Sequence, residues 1–237
     1  MRWPTLMVLA TSLAACSHTP PPDDPVDDDG PDQTQLPMSG GPQIQAEVGA
    51  LDEEKVQEAF NAAKHEIYGC FNAANDELKW PIVGGDIEVV VRVKTDSTVR
   101  WVFPQTSTIG HRATERCILD TLHKQIWPKP EGGEEGIART QYGMDCPGRE
   151  PVGWSPGDLG KNRAKLEAKV KACIRKAGTP GLSLTLHVDP DGRPISAGAS
   201  VDDESGLEAL DCAVEAATSL RYPSPGSYPA KVTVQVN

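Results

Sequence analysis

Hydrophobic positions in residues 51–142 recur first with helical and then with strand spacing. The apolar residues that lie three and four positions apart, and so predict a helix, are Val56, Phe60, Ala63, Ile67, Phe71 and Ala74. Ile87, Val89, Val91 and Val93 then alternate with Glu88 and Arg92, which predicts a strand over 87–93. After a Thr-Asp-Ser turn, a second strand is expected to carry Val99, Trp101 and Phe103 on one face.

A second helix around Cys117 and a last strand over 137–142 complete this half of the chain. The second half follows the same order, which we predict as a helix, two strands, a helix and a strand over about 161–177, 182–188, 195–201, 207–220 and 231–237. On the first of these strands the leucines alternate with Ser183, Thr185 and His187, which are expected to face outward.

Landmarks within the two halves correspond as well. They are Cys70 and Cys173 in the first helices, Cys117 and Cys212 in the second helices, and the aromatic-Pro-x-Pro stretches at 127–130 and 222–225. We therefore predict a tandem duplication of class α+β. It consists of two small αββαβ domains over 51–144 and 160–237, each a three-stranded antiparallel sheet covered by two helices. The Pro- and Gly-rich residues 145–159 are predicted to be the linker.

Residues 16–50 differ in composition from the rest. The whole chain carries a net charge of −11, and between Ser17 and Ala50 there are seven acidic residues and no Lys or Arg. Rich in Pro and Gly, this segment cannot bury enough apolar surface to offset its ordering entropy, so we predict a disordered tether. Its run Asp27-Asp28-Asp29 lacks the spaced ligands of a calcium loop. The acidic balance excludes nucleic acid as an expected partner.

The first sixteen residues are typical of an exported protein. Arg2 precedes a short apolar run that ends in Leu13-Ala14-Ala15-Cys16, and this ending resembles the lipobox of bacterial lipoproteins. The resemblance implies that residues 1–15 are cleaved as a signal peptide and that Cys16 is acylated and anchors the chain to a membrane. Because Ser17 stands where an inner-membrane retention signal commonly has Asp, we expect the outer membrane, with the chain facing the periplasm or the cell exterior. The alternative is an ordinary signal peptide followed by a chance cysteine.

The five other cysteines would then lie in a compartment that allows disulfides. Both cysteines of each half sit on helices expected on the same face of one sheet, so we predict the bridges Cys70–Cys117 and Cys173–Cys212. Cys146 is left over and is interpreted as an exposed thiol, with an intermolecular bridge or a redox site as the alternatives. We do not expect zinc, because the chain has no CxxC or HxxxH motif and its histidines do not cluster near the cysteines.

Motifs that indicate catalysis are missing from the sequence. There is no Gly-x-Ser-x-Gly elbow and no Gly-rich phosphate loop. We interpret His187 as a solvated strand residue, His111 as a loop-to-helix entry and His123 as a residue near a helix C-terminus. No catalytic, cofactor-binding or metal-ligating residue is therefore predicted.

One predicted helix is strongly basic. Its cations are Lys161, Arg163, Lys165, Lys169, Lys171, Arg175 and Lys176. Such a helix can contact lipid phosphates or an acidic partner. The simpler interpretation is a solvated helix face.

The ordered pattern resembles the TonB carboxy-terminal fold, and more narrowly the cysteine-bearing version in AgmX/PglI-type proteins of gliding bacteria. The resemblance covers about 51–142 and 160–237. It is carried by Val-Asp-Pro-Asp-Gly-Arg at 188–193, by Cys117-Ile118, and by Trp-Pro-Lys-Pro-Glu-Gly-Gly at 127–133. It implies a noncatalytic module that contacts other envelope proteins, often by adding strands. Unlike TonB proteins, this chain begins with a lipobox rather than a spanning helix, so the resemblance implies a binding mode and not a motor.

The sequence thus predicts a noncatalytic envelope lipoprotein that acts as a protein-binding adaptor, without a cofactor or a metal. The final strand, 231–237, is the candidate edge for an added partner strand. One alternative is a small-ligand-binding or enzymatic function in the groove between the two repeats, for which the cue is Cys146 near Trp154 in the linker. A third possibility is a purely structural envelope component with no specific partner.

Overall fold

The computed structural model describes residues 48–237, so the predicted signal peptide, Cys16 and nearly all of the tether lie outside the described residues. The described helices are α1 (Glu53–Glu77), α2 (Arg112–His123), α3 (Asn162–Ala177) and α4 (Leu207–Thr218). The strands are β1 (Gly85–Val93), β2 (Val99–Ser107), β3 (Gly136–Met144), β4 (Val152–Gly153), β5 (Leu182–Val188), β6 (Pro194–Ser200) and β7 (Ala230–Val236). The α+β class is therefore confirmed. We refer to residues 48–144 as the first half and to residues 152–237 as the second half.

Local chemistry sets where α1 begins and how the chain leaves it. The Asp52 side chain accepts a hydrogen bond from the amide of Lys55 at 3.1 Å, and Glu53 and Glu54 place negative charge in the first turn, where the helix dipole favours it. Near the other end, the buried Asn75 side chain exchanges hydrogen bonds with the backbone of Val83 at 2.8 and 2.9 Å. These bonds hold the loop that leads into β1 against the helix.

The first sheet has the strand order β2-β1-β3 and is antiparallel throughout. Its helices α1 and α2 cover one face, and the core between them includes Ile67, Phe71 and Ile118. The predicted common face of Val99, Trp101 and Phe103 is wrong at Val99. Arg92 lies opposite Trp101 whereas Val93 lies opposite Val99, so a bulge reverses the alternation within β2. Val99 consequently packs in the first core, which lies between the first sheet and helices α1 and α2. Phe103 packs in the second core, which lies mainly in the second half.

The second sheet has the strand order β4-β7-β5-β6 and is mixed. The prediction of three antiparallel strands is wrong here, because Val152 and Gly153 of the predicted linker pair in parallel with Ala230 and Lys231. Two residues are too short to produce a recognisable alternation in sequence. Helices α3 and α4 cover the leucine face of β5, where Leu184, Leu186 and Val188 are fully buried.

The turn between β5 and β6 requires its glycine. The Asp189 carboxylate accepts hydrogen bonds from the amides of Asp191 and Arg193 at 2.9 and 2.7 Å, which closes the turn. Gly192 has φ 75°, and a Cβ at that position would overlap the carbonyl oxygen of Tyr222. The glycine therefore allows the segment after α4 to pack directly against the turn.

Candidate functional site

Strand β3 forms an outer edge of the first sheet. It pairs with β1 over its full length, from Gly136 opposite Val93 to Met144 opposite Gly85. Within the described residues, the other side of β3 is met only at its start, where Gly49 bridges Gly136 and donates its amide to the carbonyl of Glu135 at 3.0 Å. The rest of this edge has no strand partner in residues 48–237.

Alternation along the ladder shows which backbone groups lie on the open side. The amide of Thr108 donates to the carbonyl of Asp86 at 2.8 Å, so the even-numbered residues of β1 bond toward β2. The odd-numbered residues of β1 therefore bond toward β3, where they lie opposite even-numbered residues. Arg139, Gln141 and Gly143 consequently present their N–H and C=O groups outward, and all three residues are exposed.

An ion-pair cluster fixes the start of this edge. The Glu135 carboxylate accepts from Arg92 Nε at 3.0 Å and from Arg100 Nε at 2.7 Å. These hydrogen bonds from Arg100 and Arg92 lower the pKa of Glu135. The cluster ties the entry of β3 to β1 and β2, so the sheet presents the edge from a fixed position.

The sequence-predicted edge, strand β7, is more covered than β3. Strand β4 lies alongside its first two residues, and the amide of Trp154 donates to the carbonyl of Lys231 at 2.8 Å. By the same alternation, only Thr233 and Gln235 within β7 present backbone groups that no strand in the described residues pairs. The opening along β7 is therefore shorter than the opening along β3, with two outward-facing residues against three.

The two halves meet at a buried carboxylate. Glu115 on α2 is fully buried, and its side chain accepts a hydrogen bond from Ser107 Oγ at 2.7 Å and another from the amide of Ala199 at 3.1 Å. Arg112 Nη1 lies 3.6 Å from the same carboxylate. Burial raises the pKa of Glu115 to about 7, against the opposing effect of these donors. A carboxyl group of the first half thus completes the hydrogen bonding of a strand in the second.

His187 is also part of this junction, and the prediction that it is solvated is wrong. It is fully buried, and its Nδ1 lies 3.3 Å from the carbonyl oxygen of Gly110 and 3.2 Å from Ser196 Oγ. Burial lowers its pKa to about 3, so it is neutral at ordinary pH. Its neighbour Thr185 is buried too and donates to the carbonyl of Ser107 at 3.1 Å. The polar face of β5 is covered because the segment after β2 packs on it.

His111 and His123 occupy the positions expected from sequence. His111 is the N-cap of α2, and its Nδ1 accepts from the amide of Thr114 at 3.3 Å. His123 is the last residue of that helix. The described residues contain no group of three or more His, Cys, Asp or Glu side chains that could hold a metal ion.

The disulfides lie on the helical side of each half. Cys70 on α1 is bonded to Cys117 on α2, and Cys173 on α3 is bonded to Cys212 on α4, with Cα–Cα distances of 5.9 and 5.8 Å. These are the pairs that the sequence predicted. Each disulfide joins the two helices that cover one sheet, and so fixes the helical layer rather than an edge.

Cys146 has the environment of a protonated thiol. It is half-buried, its Sγ donates to the carbonyl of Ile82 at 3.2 Å, and it forms no disulfide within the described residues. Burial, with smaller effects from Glu150, raises its pKa to about 11. Trp154 packs against the second core. A nucleophilic role for Cys146 is therefore disfavoured by its surroundings.

A polar groove does lie between the halves, on the side of β7. Its cavity of about 220 Å³ is lined by Gln105, Thr106, Ser107, Thr108, Ser183, Ser200, Asp202, Thr233 and Gln235. Ser200 is buried, and its Oγ has no hydrogen-bond partner among the described residues. The groove is the feature that corresponds to the predicted alternative site between the repeats, although neither Cys146 nor Trp154 lines it.

Cys16 and Asp27–Asp29 lie outside the described residues, and no helix in residues 48–237 is long and apolar enough to cross a membrane. No protein-family model matches the chain, and it has no significant match among curated proteins or solved structures.

Proposed function

We propose that the protein is a noncatalytic envelope lipoprotein that acts as an adaptor by adding a strand of a partner protein to the edge of β3. The observation that carries the proposal is the open side of β3, where the backbone groups of Arg139, Gln141 and Gly143 face solvent without a strand partner among residues 48–237. Main-chain hydrogen bonds to such an edge supply affinity, and the flanking side chains supply specificity. An exposed strand edge can pair with other chains and so promotes aggregation. Pairing with a specific partner strand would prevent this.

The proposal includes a tandem pair of TonB carboxy-terminal-like domains of the AgmX/PglI type, over 51–144 and 160–237. Each half has the order helix, strand, strand, helix, strand, which supports a duplication. Each half also has one disulfide between its two helices, at matching positions. In both halves the helices leave a strand edge accessible on one side of the sheet.

The membrane anchor in this proposal is an acyl group on Cys16, after removal of residues 1–15. Its support is the sequence Leu13-Ala14-Ala15-Cys16, with Ser17 favouring the outer membrane. Mass spectrometry of the mature N-terminal peptide tests it directly. An unmodified peptide that begins elsewhere would remove the anchor from the proposal.

A noncatalytic role agrees with how the perturbed titratable groups are used. Glu115 and His187 are fully buried and hydrogen-bond to groups of the opposite half, so no substrate reaches them. Their hydrogen bonds link the two halves. A rigid junction suits a protein that displays a binding edge.

Gln141→Pro tests the adaptor function at the edge itself. Proline removes an outward N–H of β3 and blocks strand addition, while the inward ladder to β1 stays intact. We expect partner proteins recovered by cross-linking in cells and co-purification to fall at least roughly tenfold, because several backbone bonds are lost together. Gln141→Ala keeps the N–H and should recover the same partners as the natural chain.

Two further variants make the result interpretable. Thr140→Pro removes an inward N–H and should destabilise the fold, which shows what structural damage looks like in the same assay. Gln235→Pro blocks the shorter opening on β7. If partner proteins are still recovered with Gln141→Pro but are lost with Gln235→Pro, the binding edge is β7 and not β3. Recovery of the chain alone from cross-linked cells would count against any adaptor.

The polar groove on the side of β7 supports a second candidate function, the binding of a small polar ligand. The unsatisfied Ser200 Oγ favours it, since a buried hydroxyl without a partner carries a desolvation cost that a ligand can offset. A thermal-shift screen of small polar metabolites tests this function. A hit whose stabilisation disappears in Asp202→Asn would support binding in the groove, and a screen without hits would leave the adaptor as the better account.

A further inference from the structure

The exposed face of α3 carries a concentration of positive charge that the adaptor function does not use. Seven of the 23 Lys and Arg residues of the chain lie between residues 161 and 176, in a protein whose net charge is −11. They are Lys161, Arg163, Lys165, Lys169, Lys171, Arg175 and Lys176, and all seven are exposed. Glu167 is the one acidic residue in the same segment.

Packing decides which face of α3 carries the charge. Leu166, Val170, Cys173 and Ile174 are buried against the second core, and they define the inner face of the helix. The opposite face runs through Ala168 and Ala172, which are exposed and small. Lysines lie on both sides of these alanines on the helix surface. The exposed face of α3 therefore has small side chains along its middle and positive charges along both sides.

Most of this charge is not neutralised within the described residues. Arg163 pairs with Glu167 at 2.7 Å, and the Lys169 ammonium donates to Ser219 Oγ at 3.1 Å. None of the other five cations of α3 makes a salt bridge in residues 48–237. Across the groove to α4, Glu215 is the acidic residue that lines the same surface as Lys169 and Lys176. One carboxylate there leaves a clear excess of positive charge.

We propose that the basic face of α3 binds the anionic headgroup surface of the membrane that holds the protein. This inference rests on the proposed lipid anchor, since an acyl chain at Cys16 keeps the folded part beside a lipid surface. The acyl chains on Cys16 supply the attachment, and a basic surface that they hold beside anionic headgroups is attracted to those headgroups. A helix of 16 residues extends roughly 24 Å, long enough to meet several headgroups at once. The helices of the first half carry no comparable run of cations.

Docking through α3 gives the adaptor an orientation. The basic face of α3 would face the lipid, and the edge of β3, which lies in the other half, would remain accessible. The partner-binding edge on β3 and the membrane-binding face on α3 belong to different halves and use different chemistry. The two can therefore be tested separately.

Lysine footprinting on the full-length lipoprotein tests this proposal. The purified chain is reconstituted into vesicles of phosphatidylcholine, or of phosphatidylcholine mixed with phosphatidylglycerol, and treated with an amine-acylating reagent before peptide mass spectrometry. We expect the reactivity of the lysines on α3 to fall severalfold in the anionic vesicles only. Lys55, Lys64 and Lys124 are exposed elsewhere and serve as internal controls. The protection should disappear at about 1 M NaCl, where the screening length is roughly 3 Å.

A charge-matched pair of variants sharpens the test. Lys165→Gln/Lys171→Gln/Lys176→Gln should abolish protection of Lys161 and Lys169. Lys55→Gln/Lys64→Gln/Lys124→Gln removes the same charge and should leave the protection intact. Equal reactivity of the α3 lysines in neutral and anionic vesicles would overturn the proposal, whether they are protected in both or in neither.

The anchor is measured independently in the same samples. Flotation with neutral vesicles and an acylated N-terminal peptide report on Cys16 and not on α3. Flotation with intact α3 reactivity would refute membrane docking of α3 and leave the lipoprotein proposal standing. Failure to float in neutral vesicles, together with protection of α3 in anionic ones, would refute the anchor and support the basic face.

Discussion

The carboxylate of Glu115 accepts a hydrogen bond from the backbone amide of Ala199, 84 residues further along the chain, at a distance of 3.1 Å. Ala199 lies in β6, the outer strand of the second sheet. Two residues later, the amide of Val201 donates to the carbonyl of Pro104 in β2 at 3.0 Å. The first half therefore bonds to the end of β6 through a side chain and a carbonyl group. No strand of residues 48–237 meets the outer side of β3 from Arg139 to Gly143.

The Glu115–Ala199 contact predicts a pH dependence of stability. Burial raises the pKa of Glu115 to about 7, whereas in the unfolded chain the residue ionises near 4.5. Between these values the folded state holds a proton that the unfolded state has released, so the contribution of Glu115 to stability falls as pH rises, by about 1.4 kcal/mol per unit. Glu115→Gln cannot ionise and should lack this fall. Urea unfolding between pH 4.5 and 8 measures this pH dependence of the free energy of unfolding, and Glu66→Gln, at an exposed position, is the control. The same pH dependence in the natural chain and in Glu115→Gln would refute its assignment to Glu115.

His187 predicts the opposite slope. Its pKa is lowered to about 3 by burial, while the unfolded residue titrates near 6.5. As pH falls below 6.5, the unfolded chain binds a proton at His187 and the folded chain does not. The contribution of His187 to stability is therefore lost, again at about 1.4 kcal/mol per unit. The contributions of His187 and Glu115 therefore offset each other between about pH 4.5 and 6.5.

His187→Asn should expose this cancellation. Asn stays neutral and can still donate to the carbonyl of Gly110, so the variant loses the acid-dependent term while keeping a junction hydrogen bond. Its stability relative to the natural chain should improve steadily as pH is lowered from 6.5, measured by urea midpoints. The exposed His65→Asn is the matched control. A constant difference across that pH range would show that His187 is not the buried base.

Each disulfide should contribute comparably to stability. The bridged cysteines are 47 and 39 residues apart, for which the chain-entropy model gives about 4 kcal/mol each. Cys70→Ser/Cys117→Ser and Cys173→Ser/Cys212→Ser should each lower the free energy of unfolding by about this amount. Cys146→Ser keeps a hydroxyl donor toward Ile82 and should change stability by less than about 0.5 kcal/mol. A large loss with Cys146→Ser would point to an unrecognised role for that thiol.

Gly198 is predicted to be required by the close approach of the two halves. A Cβ at this position would overlap Glu115 Oε1 and lie 2.9 Å from the backbone nitrogen of His111. Gly198→Ala should therefore destabilise the protein by about 1–3 kcal/mol, as overpacking does. Gly153→Ala, where no atom lies within 4 Å of the new Cβ, should be nearly neutral. In a Glu115→Ala background the cost of Gly198→Ala should shrink, and full additivity in thermal unfolding would rule out this contact as its cause.

The helices and the central strands were predictable because their signals are local. The stripe through Phe60, Ile67 and Phe71 and the leucines of β5 each repeat with the period of one element, and their buried positions follow from that period alone. Disulfide pairing followed from the matched order of the two halves. Strand β4 and the bulge between Val99 and Trp101 were missed, since the strand is two residues long and the bulge is a single extra residue.

Tertiary structure alone decided what covers the polar faces and edges of the sheets. In the sequence, the alternation around His187 is that of a half-solvated strand, and only the packing of residues 107–110 against β5 makes that histidine buried. From sequence, Glu115 is likewise predicted to be a surface residue of an amphipathic helix. It is fully buried because β6 of the other half packs against it, and its carboxylate accepts a hydrogen bond from the amide of Ala199 in that strand. Periodicity records which residues share a face of one element. It does not record which distant element covers that face, because that depends on contacts between residues far apart in the chain.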